Sequence, residues 1–481
     1  MKTIFLISAS IAFAQSPGTF TATGSMTRAR SSHTATLLND GRVLIAGGAA
    51  NTPNTSADNR AELYDPSSGI FAPTGNMTTP RTGHTATLLP DGTVLIVGGS
   101  GVRPDTAEIY DPATGTFSAT GSMLTAQQGF QATLLTNGEV LISGGFGQWP
   151  ALVDAELYDS AKGSFVPAGS FASGANVCDF CSPPALLPNG KVLVSVVQPA
   201  QVYDPVNASF STTGRMIFAQ HTTANLLANG QILLTGGEED DTGRFAGAEL
   251  YDAAKGAFTS TSDMAWRRVW HSATLLPDGT VLVAGGETDG CGNKFCMFAG
   301  SIPAAEIYDP VTGKFVATGD MIEPRETHTA TLLRDGRVLI TGGVRYGGIR
   351  VFYGSTNTAE IYTPTVLIPA PGLFSLSGDG QGQGAIWHAT TGVASSSSNP
   401  AVAGEALSMY TNNLVEGGLI PPQVFVGGRI AEILYFGEAP GYPGYNQVNF
   451  KVPEGTRSGP AVSVRLGYLG RSSNEVTIGV R

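Results

Sequence analysis

Apolar and polar positions repeat along this chain. The pattern is clearest in His84-Thr-Ala-Thr-Leu-Leu-Pro-Asp-Gly-Thr-Val-Leu-Ile-Val-Gly-Gly99, which runs from alternating residues through an Asp-Gly turn into a continuous apolar run. Leu-Leu pairs recur seven times, at Leu37/Leu38, Leu88/Leu89, Leu134/Leu135, Leu186/Leu187, Leu226/Leu227, Leu275/Leu276 and Leu332/Leu333. Asp-Gly or Asn-Gly follows each, ending at Gly41, Gly92, Gly138, Gly190, Gly230, Gly279 and Gly336. The apolar run closes on Gly-Gly in six copies; the fourth reads Val194-Ser195-Val196. Such a turn between apolar runs predicts an antiparallel hairpin of type I′, with φ > 0 at both central residues. Each unit then continues with Ala-Glu-Leu/Ile-Tyr-Asp, a Pro-x-x-Gly type turn and Phe-x-x-x-Gly-x-Met, as at Ala61 to Met77. Four strands in about 50 residues, repeated, predict the blades of a β-propeller.

The ends of the repeat predict how the ring closes. Phe20 to Met26 matches a fourth strand with no first three before it, and the seventh unit stops at Tyr362 without a fourth. The N-terminal strand therefore completes the seventh blade, which leaves no open sheet edge. Beyond it, residues 366–371 read as a Pro-rich linker. Residues 372–481 hold short alternating strands, such as Ala406 to Tyr410 and Val476 to Val480, punctuated by Gly and Pro. They predict a β-sandwich.

Arg-x-x-His, Gly-Gly, the spaced Tyr and the fourth-strand aromatic together resemble Kelch repeats, of the propeller variety found in galactose oxidase. The likeness covers about residues 17–365. Leu373 to Ala385, Asn399 to Glu405 and Gln447 to Pro453 resemble an Ig-like C-terminal domain carried by many secreted bacterial proteins. The expected fold is thus all-β: a seven-bladed propeller over residues 15–365, then an Ig-like sandwich that the resemblance implies is an extracellular accessory or attachment module.

Composition adds the compartment. Met1 to Ala14 has one basic residue, a short apolar core and Ala12-x-Ala14, and reads as a secretory signal peptide. No other stretch predicts a membrane span. Only 14% of the 481 residues are charged, and Gly numbers 63, as in a turn-rich β protein. A net charge of −11 argues against nucleic acid as a partner. In an exported chain, Cys178/Cys181 and Cys291/Cys296 are expected to form two local disulfides.

Candidate chemistry concentrates on one face. The Asp-Gly and Pro-x-x-Gly turns share one face of the ring, and the loops after Gly-Gly share the other with the inter-blade loops. The second set varies in length, and variable loops on a rigid scaffold carry binding residues. Arg30, Arg81, Arg268 and Arg325 form either a cationic ring for an anionic ligand or internal bonds between blades. Five histidines (His33, His84, His221, His271, His328) are read as holding one repeat position, with structural roles. Trp266, Trp270, Tyr346 and Tyr353 are candidates for stacking on sugars or for packing the loops down. Glu238, Glu239, Asp240 and Asp241 are a weak calcium candidate, because carboxylates suit a hard cation; calcium is the one cofactor considered.

Galactose-oxidase chemistry would require a Tyr-His neighbour pair, a second Tyr cross-linked to Cys, and a C-terminal His. No Tyr here precedes His, and His388 is the only C-terminal histidine. Sialidase-type Ser-x-Asp-x-Gly-x-Thr-Trp boxes are absent as well. The expectation is a secreted or cell-surface monomer, not an enzyme, that presents its long-loop face to an extracellular protein or glycan. A copper radical carbohydrate oxidase and a purely structural surface protein are the alternatives.

Overall fold

Each Leu-Leu to Gly-Gly stretch folds as a hairpin, but through a different turn from the one expected. Leu38 donates its amide to Arg42 O at 2.8 Å, and Gly41 donates to Leu38 O at 3.0 Å. Only the glycine has positive φ (91° at Gly41, 92° at Gly92); the Asp or Asn before it does not. This is a three-residue loop, a type I turn closed by a left-handed glycine. The Asp earns its place by accepting a backbone hydrogen bond instead: Asp40 takes the amide of Arg42 at 2.9 Å, and Asp91 that of Thr93 at 2.9 Å.

In the computed structural model, residues 18–50, 57–100, 104–126, 128–146, 154–172, 176–177, 183–195, 197–218, 221–239, 243–288, 300–347, 351–414, 420–468 and 471–481 are described. Seven four-stranded antiparallel sheets follow one another, one per repeat. Sheet 1 comprises Thr34–Leu37, Val43–Ala46, Ala61–Asp65 and Ile70–Pro73. Sheet 2 comprises Thr85–Leu88, Val94–Val97, Ala107–Asp111 and Thr116–Ala119. Sheet 3 comprises Gln128–Leu134, Val140–Phe146, Ala155–Asp159 and Ser164–Gly169. Sheet 4 is the shortest: Ala185–Leu186, Val192–Val194, Gln201–Asp204 and Ser209–Thr212. Sheet 5 comprises His221–Leu226, Ile232–Glu239, Gly243–Asp252 and Ala257–Ser260, and sheet 6 Ser272–Leu275, Val281–Ala284, Ala305–Asp309 and Lys314–Ala317. Sheet 7 takes its outer strand, Thr19–Ala22, from the chain start, with Phe20 paired to Tyr362 and Thr19 to Thr363. The first strand of each sheet neighbours that of the next, and the last neighbours the first, so the sheets close into a propeller-type ring.

The ring explains the continuous apolar run. Successive side chains of a strand point to opposite faces, and the second strand of each sheet is covered on both. Val43 and Ile45 pack with Leu339 and Ile361 of sheet 7, whereas Leu44 and Ala46 pack with Val94 and Ile96 of sheet 2. Alternation would expose one side; a run buried on both sides must be apolar throughout.

Past Thr363 two further sheets share one core. Ile386–His388, Ala406–Thr411, Asn446–Lys451 and Ile433–Glu438 form the first; Gln423–Val426 and Gly459–Tyr468 anchor the second. Leu407, Met409, Val448, Val464 and Ile478 fill the space between them. This sandwich sits on the Asp-Gly turn face of the ring. Arg465 donates to Pro90 O at 2.8 Å and to the Asn39 side chain, and Gly428 abuts Asp91. Residues 366–371 are held rather than free, since Ala370 N donates to Arg334 O at 2.6 Å. These described contacts of the sandwich with the ring are all to that turn face.

Candidate functional site

The repeated arginines lie on the loop side but inside the protein. Arg81 is 1% exposed and fills all five of its N–H positions. It donates to Glu108 Oε1 at 2.9 and 3.1 Å, to Gly98 O at 2.8 Å, and to the Thr106 carbonyl and hydroxyl at 2.9 and 2.8 Å. Arg30–Glu62, Arg268–Glu306 and Arg325–Glu360 repeat the pair at 3.0, 2.5 and 2.6 Å. The acid is the Glu of Ala-Glu-Leu/Ile-Tyr-Asp in the same sheet. It also accepts the amides that lead into that sheet, such as Thr27 N on Glu62 at 2.9 Å. Burial lowers the pKa of Arg30, Arg268 and Arg325, and the facing carboxylate opposes that shift. These guanidiniums tie the loop to its own sheet and offer no exposed face to a ligand.

Four histidines staple neighbouring sheets. The Nε2 of His84 meets Thr34 Oγ1 of sheet 1 at 3.0 Å. His33 meets Thr341 of sheet 7 at 2.8 Å, His271 meets Thr235 at 2.8 Å, and His328 meets Ser272 at 2.9 Å. Burial, reinforced by Arg81 and Arg30, pushes the His84 pKa down to about 3. Burial and Arg325 do the same to His328, so both rings are neutral. The Gly-Gly doublet exists for these rings. A Cβ at Gly47 would lie 2.7 Å from His84 Cε1, and a Cβ at Gly99 would lie 2.9 Å from His84 Cβ. His221 is not a fifth member: counted back from Leu226/Leu227, Thr222 holds that position.

Between Arg and His lies a residue that the sequence pattern did not single out. Ser32, Gly83, Trp270 and Thr327 all have left-handed backbones, with φ of 50°, 63°, 55° and 51°. They are linked to one another: Gly83 N donates to Ser32 O at 2.9 Å, Ser32 N to Thr327 O at 3.3 Å, and Thr327 N to Trp270 O at 3.1 Å. Non-glycine residues held left-handed store strain, and such strain gathers at functional sites. A Cβ at Gly83 would meet nothing within 4 Å, so this rim borders open space. The one sequence-level hint was a glycine at that position in the second repeat.

The aromatic candidates divide. Trp270 belongs to the rim and is half-buried. Trp266 and Tyr353 are exposed, at 48% and 64%. Tyr346 packs on Phe352 with ring centroids 5.3 Å apart, on the hairpin Val344–Gly347/Val351–Ser355 that follows the last Gly-Gly. That hairpin leans on the loop of sheet 6, where Tyr346 N donates to Ser301 Oγ at 3.0 Å. Glu238 and Glu239 close the second strand of sheet 5. Asp240, Asp241, Cys178, Cys181, Cys291 and Cys296 lie outside the described residues, as do residues 1–14, where a signal peptide is expected.

No family model matches the chain, and no curated protein matches it. Among solved structures, it is similar to a fungal alcohol oxidase of the AA5 family in complex with copper. That match has a TM-score of 0.61 and 16% identity, and covers 97% of this chain and 100% of the other. At that identity the likeness is one of fold, and the fold is galactose-oxidase-like and propeller-type. It corrects three expectations from sequence: a non-catalytic binding role, the absence of enzymatic activity, and no cofactor beyond calcium. The architecture shared over 97% of this chain is one on which a copper alcohol oxidase is built.

The described side chains do not fit copper. No group of three His, Cys, Asp or Glu among them could hold a metal ion. His33, His84, His271 and His328 serve four different joints. His388 is held within the sandwich, its Nδ1 2.5 Å from Glu405 and its Nε2 donating to Asn399 O at 3.1 Å. Of the six histidines only His221 has a side chain outside the described set.

Proposed function

We propose that this protein is an enzyme, an oxidase of alcohols or carbohydrates that works at the rim of the ring on its long-loop face. The observation that carries this reading is the end-to-end likeness to a copper alcohol oxidase, over 97% of this chain and 100% of that one. Two features agree with it. The opposite face is occupied by the sandwich, and the loop face carries a strained rim beside open space. In this reading residues 15–365 are a seven-bladed Kelch-type propeller, 366–371 a linker and 372–481 an Ig-like accessory domain. Residues 1–14 direct export, and the two Cys pairs are disulfides. Trp266, Trp270, Tyr346 and Tyr353 are the aromatic surface met by the substrate. Because the described residues do not fit copper, no step is assigned to the metal.

The test is oxygen-dependent turnover. The net reaction, RCH2OH + O2 → RCHO + H2O2, is followed by peroxide release from protein loaded with Cu(II) and desalted, over a panel of primary alcohols and hexoses. Peroxide formation in proportion to protein is expected, and Trp266→Ala should raise KM more than it lowers kcat. A copper-replete preparation that yields no peroxide from any member of the panel overturns the reading.

A further inference from the structure

A cavity of about 1060 Å³ lies between the sandwich and the Asp-Gly turn face, on the side of the ring away from the rim. This is just above the ~300–1,000 Å³ typical of ligand pockets. Its floor is made by turn-side leucines of successive sheets, among them Leu89, Leu134 and Leu187; its roof includes Ile420, Phe425 and Ile433. Apolar walls of this extent suit an aliphatic chain.

Two arginines also line it, and they differ. Arg465 is charge-satisfied: Glu475 lies 3.4 Å away, Pro90 O accepts at 2.8 Å, and the guanidinium stands over the Phe425 ring at 5.2 Å. Arg471 is 1% exposed and has no carboxylate partner among the described residues. It donates only to two backbone carbonyls, Pro369 O at 3.1 Å and Asn413 O at 3.4 Å, and its Nε has no partner. A buried cation without a counter-charge is costly. The one acid among the described lining residues, Glu432, is paired with Lys451 at 2.8 Å. The cavity thus combines a long apolar wall with one unneutralised positive charge.

We propose that this cavity binds a free long-chain alkyl carboxylate, with its tail among the turn-face leucines and its carboxylate on Arg471. A guanidinium matches a carboxylate in charge and in fork geometry, and the ligand would neutralise the cation that the chain leaves unpaired. The test is calorimetric titration of the full-length protein with decanoate below its micelle concentration, with decanol and decyltrimethylammonium as controls. Saturable binding of one decanoate per chain is expected, at least tenfold tighter than either control. Arg471→Met should bring decanoate down to the level of decanol. Thr136→Trp, at the exposed lip, should weaken decanoate at least tenfold while leaving Arg471 untouched; it decides the matter if the arginine variant does not fold. No saturable decanoate binding, equal binding of the cationic detergent, or full binding by Thr136→Trp overturns the assignment.

Discussion

Sheets 2 and 4 have the same four-strand path but different joints. In sheet 2, Arg81 holds Glu108, His84 reaches Thr34, Tyr110 Oη bonds Thr74 Oγ1 at 2.9 Å, and Gly98-Gly99 makes room for the rings. In sheet 4 every one of these is gone. Gln201 stands where Glu108 does and makes a neutral pair with the Ala172 backbone, accepting at 3.0 Å and donating at 3.3 Å. Tyr203 Oη has no partner, because Ala168 stands at the position of Thr74. Phe171, at the usual methionine position, packs on Phe210 at 4.5 Å instead. Yet Val192, Leu193 and Val194 are as buried as their counterparts Val94, Leu95 and Ile96. The apolar second strand makes the ring; the polar joints are an added layer, and in sheet 4 that layer is lost as a set. Where the arginine is absent in sheet 4, the acid has become an amide. Sheet 3 is halfway: Glu156 is kept and accepts two amides, from Leu124 and Thr125 at 2.8 and 2.9 Å, without an arginine.

The sharpest way to break the comparison is to remove the arginine. Arg81→Leu strands Glu108 as a buried carboxylate and should cost about 3–5 kcal/mol. Gln201→Leu, at the matching position in sheet 4, removes a neutral pair and should cost about 1 kcal/mol. Adding Glu108→Gln to Arg81→Leu imitates sheet 4 and should restore much of the loss. Chemical denaturation of the four proteins measures this. Equal losses for the two single variants would mean that the buried pair is no more than another hydrogen bond.

The next effect is pH-dependent. His84 has a folded pKa of about 3, against 6.5 for the free group. A depressed folded pKa means that the unfolded chain binds the extra proton. The stability this joint contributes is therefore complete above pH 6.5 and is lost as pH falls toward 3, at about 1.4 kcal/mol per pH unit. His84→Gln should flatten the slope of unfolding free energy across that window, whatever it costs at pH 7. An unchanged slope would show that the ring is protonated in the native state. Glu156 works in the opposite sense. Burial raises its pKa, so the stability it lends at low pH is lost as pH rises through that value. Glu156→Gln should help more at pH 7 than at pH 4.

Much of this was legible in the sequence, and the misses share a cause. Hairpins, ring closure by Phe20 and the sandwich strands followed from period and turn residues, which are local signals. The turn type was misread because Asp-Gly serves two hairpin geometries; only the backbone of Asp40 tells them apart. Arg81 and Glu108 were both visible in their motifs, but not that they meet, because 27 residues separate them. The left-handed rim went unseen because Ser32, Trp270 and Thr327 share a conformation, not a chemistry. Function was harder still. The repeats already resembled the galactose-oxidase propeller, but the oxidase was set aside because no Tyr precedes His, each Cys has a Cys neighbour and His388 is the only C-terminal histidine; the likeness to such an enzyme lies in architecture and not in those residues.

The smallest effect is the most diagnostic. Six of the seven repeat tyrosines bond a threonine hydroxyl of the preceding sheet, at 2.8 to 3.1 Å. Tyr203 does not, and burial pushes its pKa up to about 12. A buried hydroxyl without a partner costs stability, whereas one that is bonded contributes about 1 kcal/mol. Tyr110→Phe should therefore destabilise by about 1 kcal/mol, and Tyr203→Phe should be neutral or stabilising. Ala168→Thr supplies the missing hydroxyl at its repeat position and should add up to about 1 kcal/mol. The double variant Ala168→Thr/Tyr203→Phe keeps the added methyl but removes the bond. If it matches Ala168→Thr alone, the gain comes from packing, and the tyrosine–threonine bond is not what joins these sheets.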